Sequence, residues 1–156
     1  MTGCTIGATT YAWSTPPLTA DAGLAQGTLS YGVWAQDNAN NLGTTVNYSA
    51  IVDSTSPTVS AAVVAMASPA TVGWVRRSGS YTVYANATDA GSPASGIATV
   101  TANVSSLTPG TTSLSLPACT SSCSVGGVTY GYKSAATTAG SAIADASATV
   151  SLAAAD

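Results

Sequence analysis

Three cysteines, six aspartates and a single lysine are the residues of this 156-residue chain with the most chemical potential. Cys119 and Cys123 stand either side of Thr-Ser-Ser, a spacing that flanks a tight turn. In an oxidising compartment such a pair closes as a disulfide. Two separate thiols or half of a metal site are the alternatives, but the chain has no histidine and no second cysteine pair. The disulfide is therefore the preferred reading, and closing so short a loop is worth about 2 kcal/mol. Cys4 is left over, either a free thiol or the sign of a chain cut from something longer.

The absence of histidine and glutamate removes most catalytic arrangements. No Ser–His or Cys–His dyad is available, and no usual zinc site. The six aspartates show no paired spacing that would serve general acid–base work. The chain is thus expected not to be an enzyme and to need no cofactor. An internal isopeptide bond would have to use Lys133, with an aspartate as its promoting acid.

Several residues suit binding better than catalysis. Asp37, Asn38, Asn40, Asn41 and Asp53 are oxygen donors that a hard cation such as calcium could use. Aspartate and asparagine at strand ends more often cap turns by accepting backbone N–H bonds, and capping is the preferred reading here. Asn47, Asn86 and Asn103 each begin an N-glycosylation sequon and fall on the outward parity of their strands. Trp34 also has outward parity, and Trp74 lies beside Arg76 and Arg77. Exposed aromatics of this kind can form a sugar platform or a subunit contact, or simply pack against a neighbouring loop.

These residues need a scaffold, and composition indicates which. Apolar residues make up 46% of the chain, enough for a core, with no phenylalanine among them. Helix-forming Glu and Lys are nearly absent while Thr, Ser, Val and Gly abound, which favours sheet and turns. Three cations against six aspartates give a net charge of −3, which excludes a basic nucleic-acid footprint. No apolar run reaches the roughly 20 residues needed to span a bilayer, so no membrane insertion is expected. A hydroxyl-rich, weakly charged surface suits a secreted or cell-surface protein. The first residues carry neither a basic start nor an apolar core segment of a secretory signal.

Period-2 alternation of Leu29, Tyr31, Val33 and Ala35 predicts a half-buried strand. A turn-rich cluster over 37–43 follows, and Val46, Tyr48, Ala50 and Val52 form a second alternating run, closing a hairpin over 28–52. Further strands are predicted over 59–66, 71–75, 81–87, 98–104, around Leu114 and Leu116, over 128–134, and over 147–155. Loops are predicted over 89–96 and 137–146. Many short strands separated by turn signals indicate an all-β sandwich.

The chain also repeats itself. Residues 4–37 and 123–156 align without a gap, 119 positions apart. Cys4 falls on Cys123, Gly7 on Gly126, Tyr11 on Tyr130, Val33 on Leu152 and Asp37 on Asp156. A period of about 119 residues is a normal sandwich size. Residues 1–53 are then the last strands of one unit, and 54–156 the next unit without its last strand. Val46, Tyr48, Ala50 and Val52 occur once, which makes this strand the expected junction between units.

The stretches 80–89 and 96–105, together with Ala35-Gln-Asp-Asn-Ala-Asn-Asn41 and Val52-Asp-Ser-Thr-Ser-Pro-Thr58, resemble immunoglobulin-like tandem repeats of large prokaryotic surface and secreted proteins. Asn40 departs from the resemblance, since glycine is commoner at that turn position. The resemblance implies an Ig-like antiparallel sandwich acting as stalk, filament subunit or adhesin, with other copies or adjacent repeats as partners. Head-to-tail strand complementation through residues 38–53 is a sharper version of this expectation; its alternative is that the missing strand follows Asp156 in the covalent sequence of a longer array. The alternative is a carbohydrate-binding accessory module of an exported enzyme, with glycans as partners and Trp34, Trp74 or Tyr84 as its platform.

Overall fold

A computed structural model describes residues 4–121 and 123–156. These residues form thirteen antiparallel strands and no helix, so none is long and apolar enough to cross a membrane. In chain order the strands are β1 (Cys4–Ile6), β2 (Thr9–Tyr11), β3 (Gly27–Val33), β4 (Val46–Val52), β5 (Thr58–Met66), β6 (Ser80–Thr88) and β7 (Thr99–Asn103). They continue with β8 (Leu114–Ser115), β9 (Ser124–Val125), β10 (Val128–Thr129), β11 (Tyr132–Lys133), β12 (Thr137–Thr138) and β13 (Ser151–Ala155).

The core lies between two of the sheets. In one, β6 is flanked by β5 on one side and by β11 and β12 on the other. The second has the order β13-β7-β8. Tyr81, Val83 and Ala85 alternate along β6, Val100 and Ala102 along β7, and all five are buried in one cluster with Val104, Leu107, Leu116 and Ala139. Strand side chains alternate between faces, so every second residue of β6 and β7 meets the opposite sheet. An all-β arrangement of facing antiparallel sheets results, consistent with a sandwich. Tyr81 ties the layers further: its hydroxyl lies 2.8 Å from Thr108 Oγ1, which in turn donates to the Thr138 carbonyl at 2.9 Å.

A smaller apolar cluster of Ala65, Val125 and Tyr130, with Val63 and Tyr84 packed against it, joins β5 and β6 to the turn between β9 and β10. Gly126 has φ +59°, and a Cβ there would meet Val72 Cγ2 at 2.9 Å, so this turn needs glycine for both conformation and space.

The predicted strands over 59–66, 81–87 and 98–104 correspond to β5, β6 and β7. Elsewhere the ladders are more broken than the alternation suggested. The expected strand over 71–75 is reduced to one bridge, Ala65 to Val72. The run over 128–134 divides between β10, which pairs with β9, and β11, which pairs with β6. The expected loop over 137–146 contains β12, and only 151–155 of the last run is strand. Ser134 explains one interruption. It is buried, its hydroxyl accepts the Val83 N–H at 3.0 Å, and it donates to the Ala135 carbonyl at 2.8 Å. A side chain thereby takes the place of a ladder bond between β11 and β12.

The hairpin of β3 and β4 has the expected register, with Tyr31 opposite Tyr48 and Val33 opposite Val46. It forms a two-stranded sheet by itself. The expected buried face is not found: Tyr31, Val33, Val46 and Tyr48 are each about half exposed, little less than the outward Trp34. Alternation marks a face capable of burial, but among the described residues no second layer covers this one.

Candidate functional site

Two places carry the polar and apolar features expected of a site. The first is the joint where β4 runs into β5. Gln26 Oε1 accepts from the Ser54 N–H at 2.7 Å and from the Thr55 hydroxyl at 3.0 Å, while its amide nitrogen donates to the Pro93 carbonyl. Asp53 accepts the Thr55 N–H at 3.1 Å and the Ser95 N–H. Asp89 accepts the Gly96 N–H at 2.8 Å, and Asp156 faces the Ser95 hydroxyl at 3.4 Å. Carboxylate oxygens of Asp53, Asp89 and Asp156 therefore converge to within 4.8 Å of one another. Chain segments more than sixty residues apart are fastened here.

The electrostatics follow from those bonds. The Thr55 and Ser95 N–H groups favour the ionised form of Asp53 and hold its pKa down at about 2. Three converging carboxylates offer the oxygen chemistry a hard divalent cation uses. Asp53 and Asp89 already accept backbone N–H bonds, which is the capping role expected for such residues.

Asp37 is not part of this cluster. Its Oδ1 accepts the N–H groups of Ala39 and Asn41 at 2.9 and 2.8 Å, and its Oδ2 accepts the Asn41 amide at 2.9 Å. These bonds, the Asn41 side chain foremost, lower the Asp37 pKa. They close the β3–β4 turn, in which Asn38 is exposed and Asn40 takes φ +67°. Asparagine is one of the few residues besides glycine that enters this region readily, which accounts for the departure at position 40. Of the cation ligands expected from sequence, the structure thus brings only Asp53 to a carboxylate cluster. Asp89 and Asp156 were missed because their convergence with Asp53 is tertiary. The signal present in sequence was only that each ends a strand.

The second place is the open side of the two-sheet core. Among the described residues, strand β13 is an edge strand, paired with β7 alone. Beside it runs a groove of about 1140 Å³ whose apolar walls include Val63, Val64, Val75, Ile143, Val150 and Leu152. Arg77 sits on the rim, its Nε donating to the Ile143 carbonyl at 2.6 Å and its guanidinium 3.1 Å from Asp145. Trp74, also on the lining, is 70% exposed.

The remaining expected residues are spread over the surface. Cys119 and Cys123 form a disulfide, and Cys4 is free. Lys133 donates to the Ser121 carbonyl at 2.7 Å, beside that disulfide loop. Asn47 and Asn103 are exposed, and Asn103 accepts the Ser105 N–H. Asn86 is half-buried with its amide engaged: Oδ1 accepts the Gly131 N–H at 2.7 Å, and Nδ2 donates to the Thr129 carbonyl. Tyr84 packs on Tyr130 at 5.7 Å. On β4, Val46, Tyr48 and Ala50 are exposed and Val52 is half-buried, with Tyr48 stacked on Tyr31 at 5.8 Å. Comparison with known proteins leaves the geometry to speak for itself, since no family model, no curated protein and no solved structure matches the chain.

Proposed function

We propose that this chain is a non-enzymatic, Ig-like structural module of a secreted or cell-surface protein, a stalk, adhesin or filament element that joins its neighbours through sheet edges. The observation that carries this reading is the pairing of opposites in one chain. An apolar hairpin, β3–β4, stands exposed, and an edge strand, β13, runs beside an unfilled apolar groove. Unpaired edges are templates for another strand, and a head-to-tail contact of this kind extends into a filament.

A tandem repeat of about 119 residues is part of the proposal, and local geometry supports it. The β1–β2 and β9–β10 hairpins turn on Gly7 and Gly126, with φ of +60° and +59°. Thr5 and Thr10 hydroxyls meet at 3.2 Å in the first, and Ser124 and Thr129 hydroxyls at 2.7 Å in the second. The environments differ: Ile6 is 73% exposed, whereas its counterpart Val125 is 8% exposed. The same local structure therefore occurs once against a sheet and once without one among the described residues. The Cys119–Cys123 disulfide is in keeping with an oxidising, extracellular setting.

Size-exclusion chromatography over a concentration series, with negative-stain imaging, tests the reading. Concentration-dependent oligomers or filaments are expected, and a strict monomer at every concentration would overturn it. The carbohydrate-module alternative draws on the exposure of Trp34 and Trp74, which lie on separate elements, while Tyr84 is already packed on Tyr130. Glycan-array binding that is lost on replacing Trp34 or Trp74 would decide for it.

A further inference from the structure

Resting on the self-association reading, we infer that the groove beside β13 is the acceptor for strand β4 of a second copy of this chain, which leaves its own β3 to bind there in one defined register. The occupant and register come from the chain itself. Residues 27–36 align with 146–155 at the 119-residue offset, and the first of these segments is already paired. Gly32 lies opposite Asn47 and Val33 opposite Val46, and a further bridge joins Gln36 to Leu42. Transferring that ladder to the second segment places Val46 opposite Leu152, Tyr48 opposite Val150, Ala50 opposite Ala148 and Val52 opposite Ala146.

The side chains agree with this register. Directly opposed residues of an antiparallel pair point to the same face. Val150 and Leu152 line the groove, so Val46, Tyr48, Ala50 and Val52 would enter it. Asn47 and Ser49 would fall opposite Ser151 and Thr149 on the outer face. A shift by one residue would instead turn Asn47 and Ser49 toward the apolar side of the groove, where Val64 packs with Val150 and Leu152, which disfavours every odd register. The exchange gives up the seven-pair β3–β4 ladder for one that starts on Ser151 and Leu152 of β13 and extends that strand back through 146–150. What changes is burial: Val46 and Tyr48 are 51% and 53% exposed in the hairpin and would be covered in the groove. The exchanged state is favoured at concentrations where copies meet when this burial outweighs the Tyr31–Tyr48 stack given up on β3. Donor and acceptor are different surfaces, so the contact is heterologous and each added copy brings a further groove.

The test uses the full chain with Cys4→Ser as background. In one arm, Val33→Cys and Val46→Cys together lock the hairpin by a disulfide, which antiparallel neighbours can form without backbone movement. The oxidised chain is expected to stay monomeric under conditions where the background assembles, and to assemble after mild reduction that leaves background assembly unchanged. Matching circular dichroism spectra show that the lock has not unfolded the chain. In the second arm, chains carrying only Val46→Cys are mixed with chains carrying only Leu152→Cys or only Val150→Cys. Cross-linked heterodimers are expected roughly tenfold more from the Leu152 mixture, because a diagonal pair is beyond easy disulfide reach. If locked chains assemble as well as unlocked ones, or if the two mixtures cross-link equally, this inference is overturned while self-association stands. If the background chain never assembles, both fall together.

Discussion

Asp53 shows how little separates a turn cap from a joint in this molecule. Its carboxylate is held by backbone N–H groups from two segments, Thr55 beside it and Ser95 across the joint, and Gln26 completes the clamp. A carboxyl whose folded pKa is depressed contributes stability above its unfolded value and loses it as pH falls through the folded value. For Asp53 that window runs from its ordinary 3.8 down to about 2. An NMR titration of the carboxyl carbon is expected to give a midpoint near 2, and Asp53→Asn should flatten the acid limb of the unfolding curve over this window. A midpoint at the ordinary value would mean that the Ser95 and Thr55 bonds do not persist in solution. Asp37, whose pKa is lowered by Asn41, should lose its contribution in the same direction as acid is added, but inside the hairpin turn.

At the scale of elements, the same alternation produces two different outcomes. Alternate residues of β6 are fully buried, whereas those of β3 and β4 remain about half exposed. Truncation should distinguish them. Leu116→Ala, at a position only 1% exposed, is expected to cost about 2–5 kcal/mol in urea unfolding, as large-to-small core changes do. Leu29→Ala, at 43% exposure in the hairpin, should cost under about 1 kcal/mol by the same measurement. The Cys119–Cys123 link closes a short loop next to β9, and replacing both cysteines by serine should lower stability by about 2 kcal/mol. Core packing and the β5–β6 and β7–β13 ladders do not depend on that bond, so far-ultraviolet circular dichroism should be unchanged.

On the scale of the whole molecule, three cations and six aspartates leave little charge to steer association. Contact between copies through β4 and the groove would be driven by apolar burial and main-chain pairing. Its strength should therefore be maintained or increased as salt rises to about 1 M, where screening acts within about 3 Å. Sedimentation velocity across a salt series measures this, and dissociation at high salt would point to an ionic interface instead. The Arg77–Asp145 pair on the groove rim is exposed and should contribute under about 1 kcal/mol. Arg77→Ala is thus expected to leave assembly largely intact.

Much of the fold was legible because it is local. Alternation found the β3–β4 hairpin and strands β5, β6 and β7, composition excluded helices, and the spacing of Cys119 and Cys123 pointed to their disulfide. These features depend on residues near one another in sequence, where side-chain parity and loop length are decisive. Burial was not legible, since Leu29 and Val83 sit in similar patterns yet differ wholly in exposure. Nor was the breaking of the 128–134 run, which hinges on Ser134 reaching Val83 on a distant strand. The Asp53, Asp89 and Asp156 cluster and the groove beside β13 belong to the same class. Each is made by segments far apart in the chain, so only the packing of the sheets decides which side chains meet and which edge is left unpaired.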